Sequence, residues 1–220
     1  MKSRISYPET LTIHSIEDFI SVDDANKLLM MCNKQFSNYN GDLDTVFPSE
    51  DFKENEVFKF YVPNGRREFG KISSDICTFL DKAVKRNLTS IQNIFPGVKR
   101  ALPWNYVEYG VNQYCTSHVD YIDKTDLNEI IYAGIGVMLH CPDQGGELYI
   151  ETCGSPKLIV DKEVISDCNH SNKNFIKMPK TKWVVQQSIG TAVIYGTQTI
   201  HGTNPVKKGK CCKILSWLVG

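Results

Sequence analysis

The chain has 220 residues, 41% of them hydrophobic and 23% charged, with 25 basic against 25 acidic side chains. That length supports a hydrophobic core without staples, and the composition excludes a disordered chain. The balanced charge lacks the long-range field of a general nucleic-acid or acidic-membrane binder, and no apolar run approaches the roughly 20 residues a membrane-spanning helix needs.

The first twenty residues carry too many acids for a secretory signal. Leu11, Ile13 and Ile16 lead to Ser21, an N-cap with Asp24 at the third helical position. The helix behind it carries Ala25, Leu28, Leu29 and Cys32 on one stripe. Residues 36–56 are polar and irregular, and residues 57–62 read as a strand stopped by Pro63, Asn64 and Gly65. A second helix is expected over residues 73–87, where Ile76, Phe79, Leu80, Ala83 and Val84 recur at three and four. Both stripes need a sheet to cover them.

From Pro103 the texture changes to short strands over residues 104–109, 131–140, 147–151, 157–160, 183–187, 191–195 and 210–219. Such a run with Gly and Pro turns indicates a sandwich or barrel, so the fold class is mainly β with supporting helices. The chain is expected to be a single domain, 1–220, with amino-terminal strands and buttressing helices over 1–102 and the strand-rich core over 103–220. Residues 161–181 interrupt the strands with a polar excursion, a position that suits a lid or an ordered surface insertion. The eight cysteines are scattered without zinc-finger spacing and read as reduced thiols of a cytoplasmic protein. Cys211 and Cys212, adjacent in a strand, should point to opposite faces.

Three residues carry the chemistry. His118 and Asp120 are one residue apart and share a strand face, and His201 follows 83 residues later, far enough for the chain to go round a barrel and return. Two imidazoles and one carboxylate on one face of an octahedral Fe(II) leave three positions open. A lone His-x-Asp pair is weak, since it arises often by chance.

The wider pattern is more specific. Tyr109, Gly110, Gln113, Tyr114, His118 and Asp120, then Gly145, Gly146, Glu147 and Leu148, then Gly190, Tyr195, His201, Pro205, Val206, Gly209 and Trp217 stand in order over the second half of the chain. This pattern resembles the Fe(II)/2-oxoglutarate-dependent dioxygenases, and within them the prolyl 4-hydroxylase-like branch. The resemblance implies a double-stranded β-helix, or jelly roll, with His118, Asp120 and His201 as iron ligands and catalytic centre. It implies Fe(II), 2-oxoglutarate and O2 as cofactor and cosubstrates, with ascorbate as an accessory. Tyr109 falls where the family has a cosubstrate-pocket tyrosine, a core tyrosine being the other reading. Gly145 and Gly146 match a turn that needs positive φ.

One position departs from the family. Ten residues beyond His201, where the family carries Arg or Lys for the far carboxylate of 2-oxoglutarate, stands Cys211. A buried carboxylate without a cation is costly. Lys213, two residues on and on the same face, is the first replacement; Lys210 would serve if a bulge shifts the strand.

The reaction implied is hydroxylation of an unactivated carbon, with succinate and CO2 as coproducts, since the carboxylate at Asp120 argues against halogenation. Desaturation and ring closure start from the same chemistry. The substrate is expected to be a peptide or protein prolyl residue, a free amino acid or a small metabolite, without nucleic-acid or membrane partners. A catalytically silent jelly-roll binding protein is the alternative, favoured by Cys211.

His140 is expected to be a hydrogen-bonded rim residue, and His14 and His170 to be solvent-exposed. Thr197, Gln198 and Thr199, just before His201, either orient a ligand or form a surface turn. Arg66 and Arg67, after a Pro-Asn-Gly turn, read as a solvated hairpin tip, the other reading being a pair that meets an anionic substrate, with Arg66, Tyr106, Tyr121 and Trp183 as weak candidates for the mouth. Trp217 reads as core.

Overall fold

The computed structural model describes residues 11–37, 61–120, 130–153 and 180–220. Ser21 caps helix α1 (Val22–Phe36): its Oγ accepts from the Asp24 backbone N–H at 3.1 Å, satisfying one orphan donor of the first turn. Helix α2 spans Ser74–Arg86, and a short α3 (Leu88–Ile94) follows at once. The sequence reading missed α3 because seven residues show no repeated stripe. The expected strand at 57–62 lies outside the described residues except for Tyr61 and Val62, which are not in a strand.

Thirteen strands form among the described residues, and all their pairings are antiparallel. They are β1 (Ile13–Ile16), β2 (Arg67–Phe69), β3 (Arg100–Ala101), β4 (Asn105–Tyr109), β5 (Cys115–His118), β6 (Ile131–His140) and β7 (Gln144–Gly145). Then come β8 (Leu148–Cys153), β9 (Lys180–Val185), β10 (Ala192–Gly196), β11 (His201–Thr203), β12 (Val206–Lys208) and β13 (Cys211–Val219). The major sheet runs β1-β10-β6-β13-β4-β2, with β3 on the far end of β13, and the minor sheet runs β5-β11-β8-β9. Two sheets with these crossovers are a double-stranded β-helix, as the sequence implied. Residues 157–160 and 161–179 lie outside the described residues, while Lys180 and Thr181, assigned to the excursion, belong to β9.

Strand alternation decides which side chains reach the space between the sheets. On β13, Cys212, Ile214 and Leu218 pack with the helices' Leu28, Cys32, Ile76 and Leu80 in the larger core. Lys213, Leu215 and Trp217 line the cavity on the other face, and Cys211 packs there against Val107, Tyr109 and Met138. Cys211 and Cys212 therefore do face opposite ways. Gly145 and Gly146 both sit at φ +75°, the left-handed region expected of this turn. The described cysteines Cys32, Cys77, Cys115, Cys141, Cys211 and Cys212 are free. Among the described residues no helix is long and apolar enough to cross a membrane.

Candidate metal and cosubstrate site

Strand pairing brings the two histidines together. In the register of β11 on β5, His201 lies directly opposite His118, so residues far apart in sequence become cross-strand neighbours with ring centroids 4.4 Å apart. Asp120 stands just past the end of β5, not in one regular strand with His118 as the sequence suggested, yet it still reaches both rings. Its Oδ1 is 3.7 Å from His118 Nε2 and 3.7 Å from His201 Nε2. Ligand atoms of the three residues all lie within 4.8 Å of one another.

The tautomer of each ring is fixed by its other nitrogen. His118 Nδ1 is 2.8 Å from the Thr116 carbonyl, and His201 Nδ1 is 3.0 Å from the Thr199 carbonyl. A carbonyl can only accept, so each Nδ1 donates its proton there; Nε2 of the neutral His201 turns a lone pair toward Asp120, and Nε2 of His118 gains the same lone pair once that ring gives up its second proton. Thr199 thus orients the His201 ring, through its backbone. On the carboxylate, Trp217 Nε1 donates to Asp120 Oδ2 at 3.2 Å, leaving Oδ1 for the space between the imidazoles. Trp217, read as core, is a half-buried wall of the site, because a buried indole N–H seeks an acceptor. Gly134 makes room behind the carboxylate: a Cβ there would come within 2.9 Å of Asp120 Oδ2 and 2.6 Å of the Tyr195 ring. We expect Trp217→Phe to keep the fold and to weaken metal affinity about 10-fold, the usual cost of losing a contact that orients a ligand. Metal titration of both proteins checks it.

The histidines titrate in opposite directions in the metal-free protein. Burial dominates His201, and with the facing His118 it holds the ring down to about 4, although Asp120 works the other way. Burial alone would also lower His118, but the Cys115 thiol 3.7 Å from its Nδ1, together with Asp120, raises it to about 9. Burial pushes that thiol up, and His118 more than offsets the effect, leaving it below its ordinary value.

The linkage sign differs accordingly. His201 contributes stability above the unfolded value near 6.5 that is lost as pH falls toward about 4; His118 contributes stability below 6.5 that is lost as pH rises through about 9. Thermal unfolding of the metal-free protein should therefore show a maximum near pH 6.5. His201→Gln should flatten the acid limb, and His118→Gln the alkaline one.

The triad lines a cavity of about 110 Å³ with Arg66, Glu68, Asn105, Tyr109, Leu148, Tyr195 and Lys213. Lys213 is 5% exposed, its Nζ lies 5.9 Å from the Tyr109 ring centroid, and no ion-pair partner for it occurs among the described residues. Lys210 points away from the cavity: its half-exposed ammonium pairs with Glu108 at 3.0 Å. The register of β13 against β6 shifts between Cys212 and Lys213 and again between Leu218 and Val219, while the register with β4 stays continuous from Cys211 to Leu215.

Several expectations are corrected. Arg66 and Arg67 are not a solvated tip: Arg66 pairs with Glu68 at 2.6 Å, and Arg67 with Glu108 at 3.2 Å. Tyr106 is not at the mouth. It sits on the helix-facing side of β4 in the larger core, its hydroxyl donating to Glu108 at 3.2 Å. Trp183 is exposed on β9 and does not line the cavity; its Nε1 donates to Thr152 Oγ1 at 2.9 Å. His140 is an exposed strand end away from the cavity, and His14 is half-buried in β1. Tyr121 and His170 lie outside the described residues.

No family model and no curated protein matches the chain. Solved structures do. The viral collagen prolyl hydroxylase vCPH from Paramecium bursaria Chlorella virus-1, in its 2OG complex, is 13% identical, with 98% of this chain and 99% of that one covered at a TM-score of 0.54. A prolyl-4-hydroxylase from Pseudomonas putida is 11% identical, with 95% and 92% covered at 0.59. HygX from Streptomyces hygroscopicus, with nickel, 2-oxoglutarate and hygromycin B bound, is 13% identical, with 96% and 84% covered at 0.57. The chain shares the fold of these proteins, a double-stranded β-helix. Between its sheets it carries a cluster of two histidines and one aspartate.

Proposed function

We propose that the chain is an Fe(II)- and 2-oxoglutarate-dependent dioxygenase that hydroxylates an unactivated carbon. The observation that carries this reading is the pair of Nε2 atoms, each held 3.7 Å from Asp120 Oδ1, in a cavity that also contains a buried ammonium with no anionic partner among the described residues. The donor set fits the ion, since two imidazoles and one carboxylate are the ligands of a mononuclear Fe(II) site with open positions.

Fe(II) bound by His118, Asp120 and His201 supplies, with 2-oxoglutarate and O2, the oxidising power to place oxygen on carbon, leaving succinate and CO2. The chain's own contribution is positional. Thr116 and Thr199 carbonyls hold both imidazoles as Nδ1–H tautomers, and Trp217 holds the carboxylate. Lys213 neutralises the far carboxylate of the cosubstrate in place of the cation the family carries at Cys211, and Tyr109 supports it. Leu148, Val193 and Tyr195 pack as one apolar patch beside the triad and keep bulk water from it. The silent-binding alternative rests on the missing cation, and Lys213 in the cavity weighs against it.

The likeness to two prolyl hydroxylases favours a peptide or protein prolyl substrate, and the HygX likeness keeps small molecules within the reading. The free thiols among the described residues and the even charge support a cytoplasmic setting without a nucleic-acid or membrane partner, and the lack of a linker-like stretch in the sequence supports a single domain. The test is a screen of proline-containing peptides, amino acids and metabolites for substrate-dependent succinate and a product heavier by one oxygen. Metal binding without succinate across the screen would sink the enzymatic reading. Turnover only with a free amino acid or metabolite would sink the peptide one.

A further inference from the structure

Arg66 enters the cavity beside Tyr109. Its Nε and Nη2 donate to Glu68 Oε2 at 3.0 and 2.6 Å, while Glu68 Oε1 accepts from Asn105 Nδ2 at 3.3 Å. Arg66 Nη1 donates to the Tyr109 hydroxyl at 2.6 Å. A guanidinium has donors only, so the direction of that bond is fixed: the phenolic oxygen accepts, and its own O–H must be used elsewhere. Tyr109 is 2% exposed, and no acceptor for its O–H occurs among the described residues. A buried hydroxyl whose proton has no acceptor is costly, and the cavity it shares with Lys213 is where an acceptor can be supplied. Glu68 cancels the charge of Arg66, so this wall presents one net positive charge, that of Lys213, together with one O–H donor. That combination suits a single carboxylate.

We propose that Arg66, clamped by Glu68, is a positioning residue for cosubstrate selection: by occupying the acceptor side of Tyr109 it aims the phenolic O–H, beside Lys213, at the distal carboxylate of a 2-oxo dicarboxylic acid. This rests on the cosubstrate reading given above. Without Arg66 the phenolic oxygen loses the donor that fixes it, and its O–H is no longer held toward the cavity. The device therefore acts on discrimination between 2-oxoglutarate and a 2-oxo acid without a distal carboxylate, such as pyruvate.

Calorimetry on Mn(II)-loaded protein, which does not turn over, tests this with 2-oxoglutarate and pyruvate as probes. Tyr109→Phe should weaken 2-oxoglutarate about 10-fold, the worth of one charge-assisted hydrogen bond, and leave pyruvate unchanged. The paired change Arg66→Met with Glu68→Met removes both buried charges together, which a fold tolerates better than removing one. It should weaken 2-oxoglutarate about 5-fold with pyruvate and Mn(II) affinity unmoved, and adding it to Tyr109→Phe should cost nothing more. Losses that multiply, or an equal loss for pyruvate, would overturn the role given to Arg66 while leaving the site reading intact. Wild-type protein that binds Mn(II) but not 2-oxoglutarate would overturn both.

Discussion

Asp120→Ala is expected to lower Fe(II) affinity by more than about 100-fold and to abolish turnover, because losing a ligand costs more than losing a group that merely orients one. The expectation follows from position. Asp120 is the one carboxylate of the cluster, its Oδ1 lies 3.7 Å from both Nε2 atoms, and Trp217 already occupies its other oxygen. Two imidazoles facing each other, without a carboxylate between them, retain little hold on a divalent cation. The fold should survive, since Asp120 lies past the end of β5 and contributes to no strand pairing. Asp120→Asn separates charge from shape: it keeps the outline of the carboxylate and should still lose most of the affinity. Anaerobic Fe(II) titration by calorimetry, with circular dichroism as the check on folding, reads both. Equal stoichiometric binding by Asp120→Ala and wild type would remove Asp120 from the metal centre.

What the sequence made legible was mostly periodicity. The stripes of α1 and α2 gave both helices, a continuous apolar run gave β6 at Ile131–His140, and alternation along β13 placed Lys213 on the face opposite Ile214. The same parity, applied to β4, would have excluded Tyr106 from the mouth once Tyr109 was assigned to the cavity, because residues three apart on a strand face opposite ways. Other features carry no sequence signal. The partners of His118 and His201 Nδ1 are backbone carbonyls, which any residue could supply. Arg66 follows a Pro-Asn-Gly turn, a context that reads as surface, and only the tertiary arrangement brings Glu68 and Tyr109 to its guanidinium. Its burial opposes the charge, and Glu68 beside it more than compensates, keeping Arg66 protonated.

Lys213→Met should weaken 2-oxoglutarate binding about 50-fold, within the range for losing a buried hydrogen bond to a charged group, while Fe(II) affinity changes little. Methionine keeps most of the aliphatic stem in the cavity that Tyr109 and Leu215 also line, so the loss reports the charge more than a void. Lys213 already stands 5% exposed with no anionic partner among the described residues, a costly state that a cosubstrate carboxylate would relieve. Lys210→Met is the control. That ammonium is half-exposed and engaged with Glu108 at 3.0 Å on the outer face, so its removal should leave cosubstrate affinity within about 2-fold. Steady-state KM for 2-oxoglutarate, read beside kcat and the metal Kd, separates the outcomes. A rise in KM alone places Lys213 on the cosubstrate, and a parallel loss of metal affinity would mean that the substitution had disturbed the triad instead. Sensitivity at Lys210 with indifference at Lys213 would show that the strand slips by one residue when the cosubstrate binds, which the continuous register of β13 on β4 from Cys211 to Leu215 opposes.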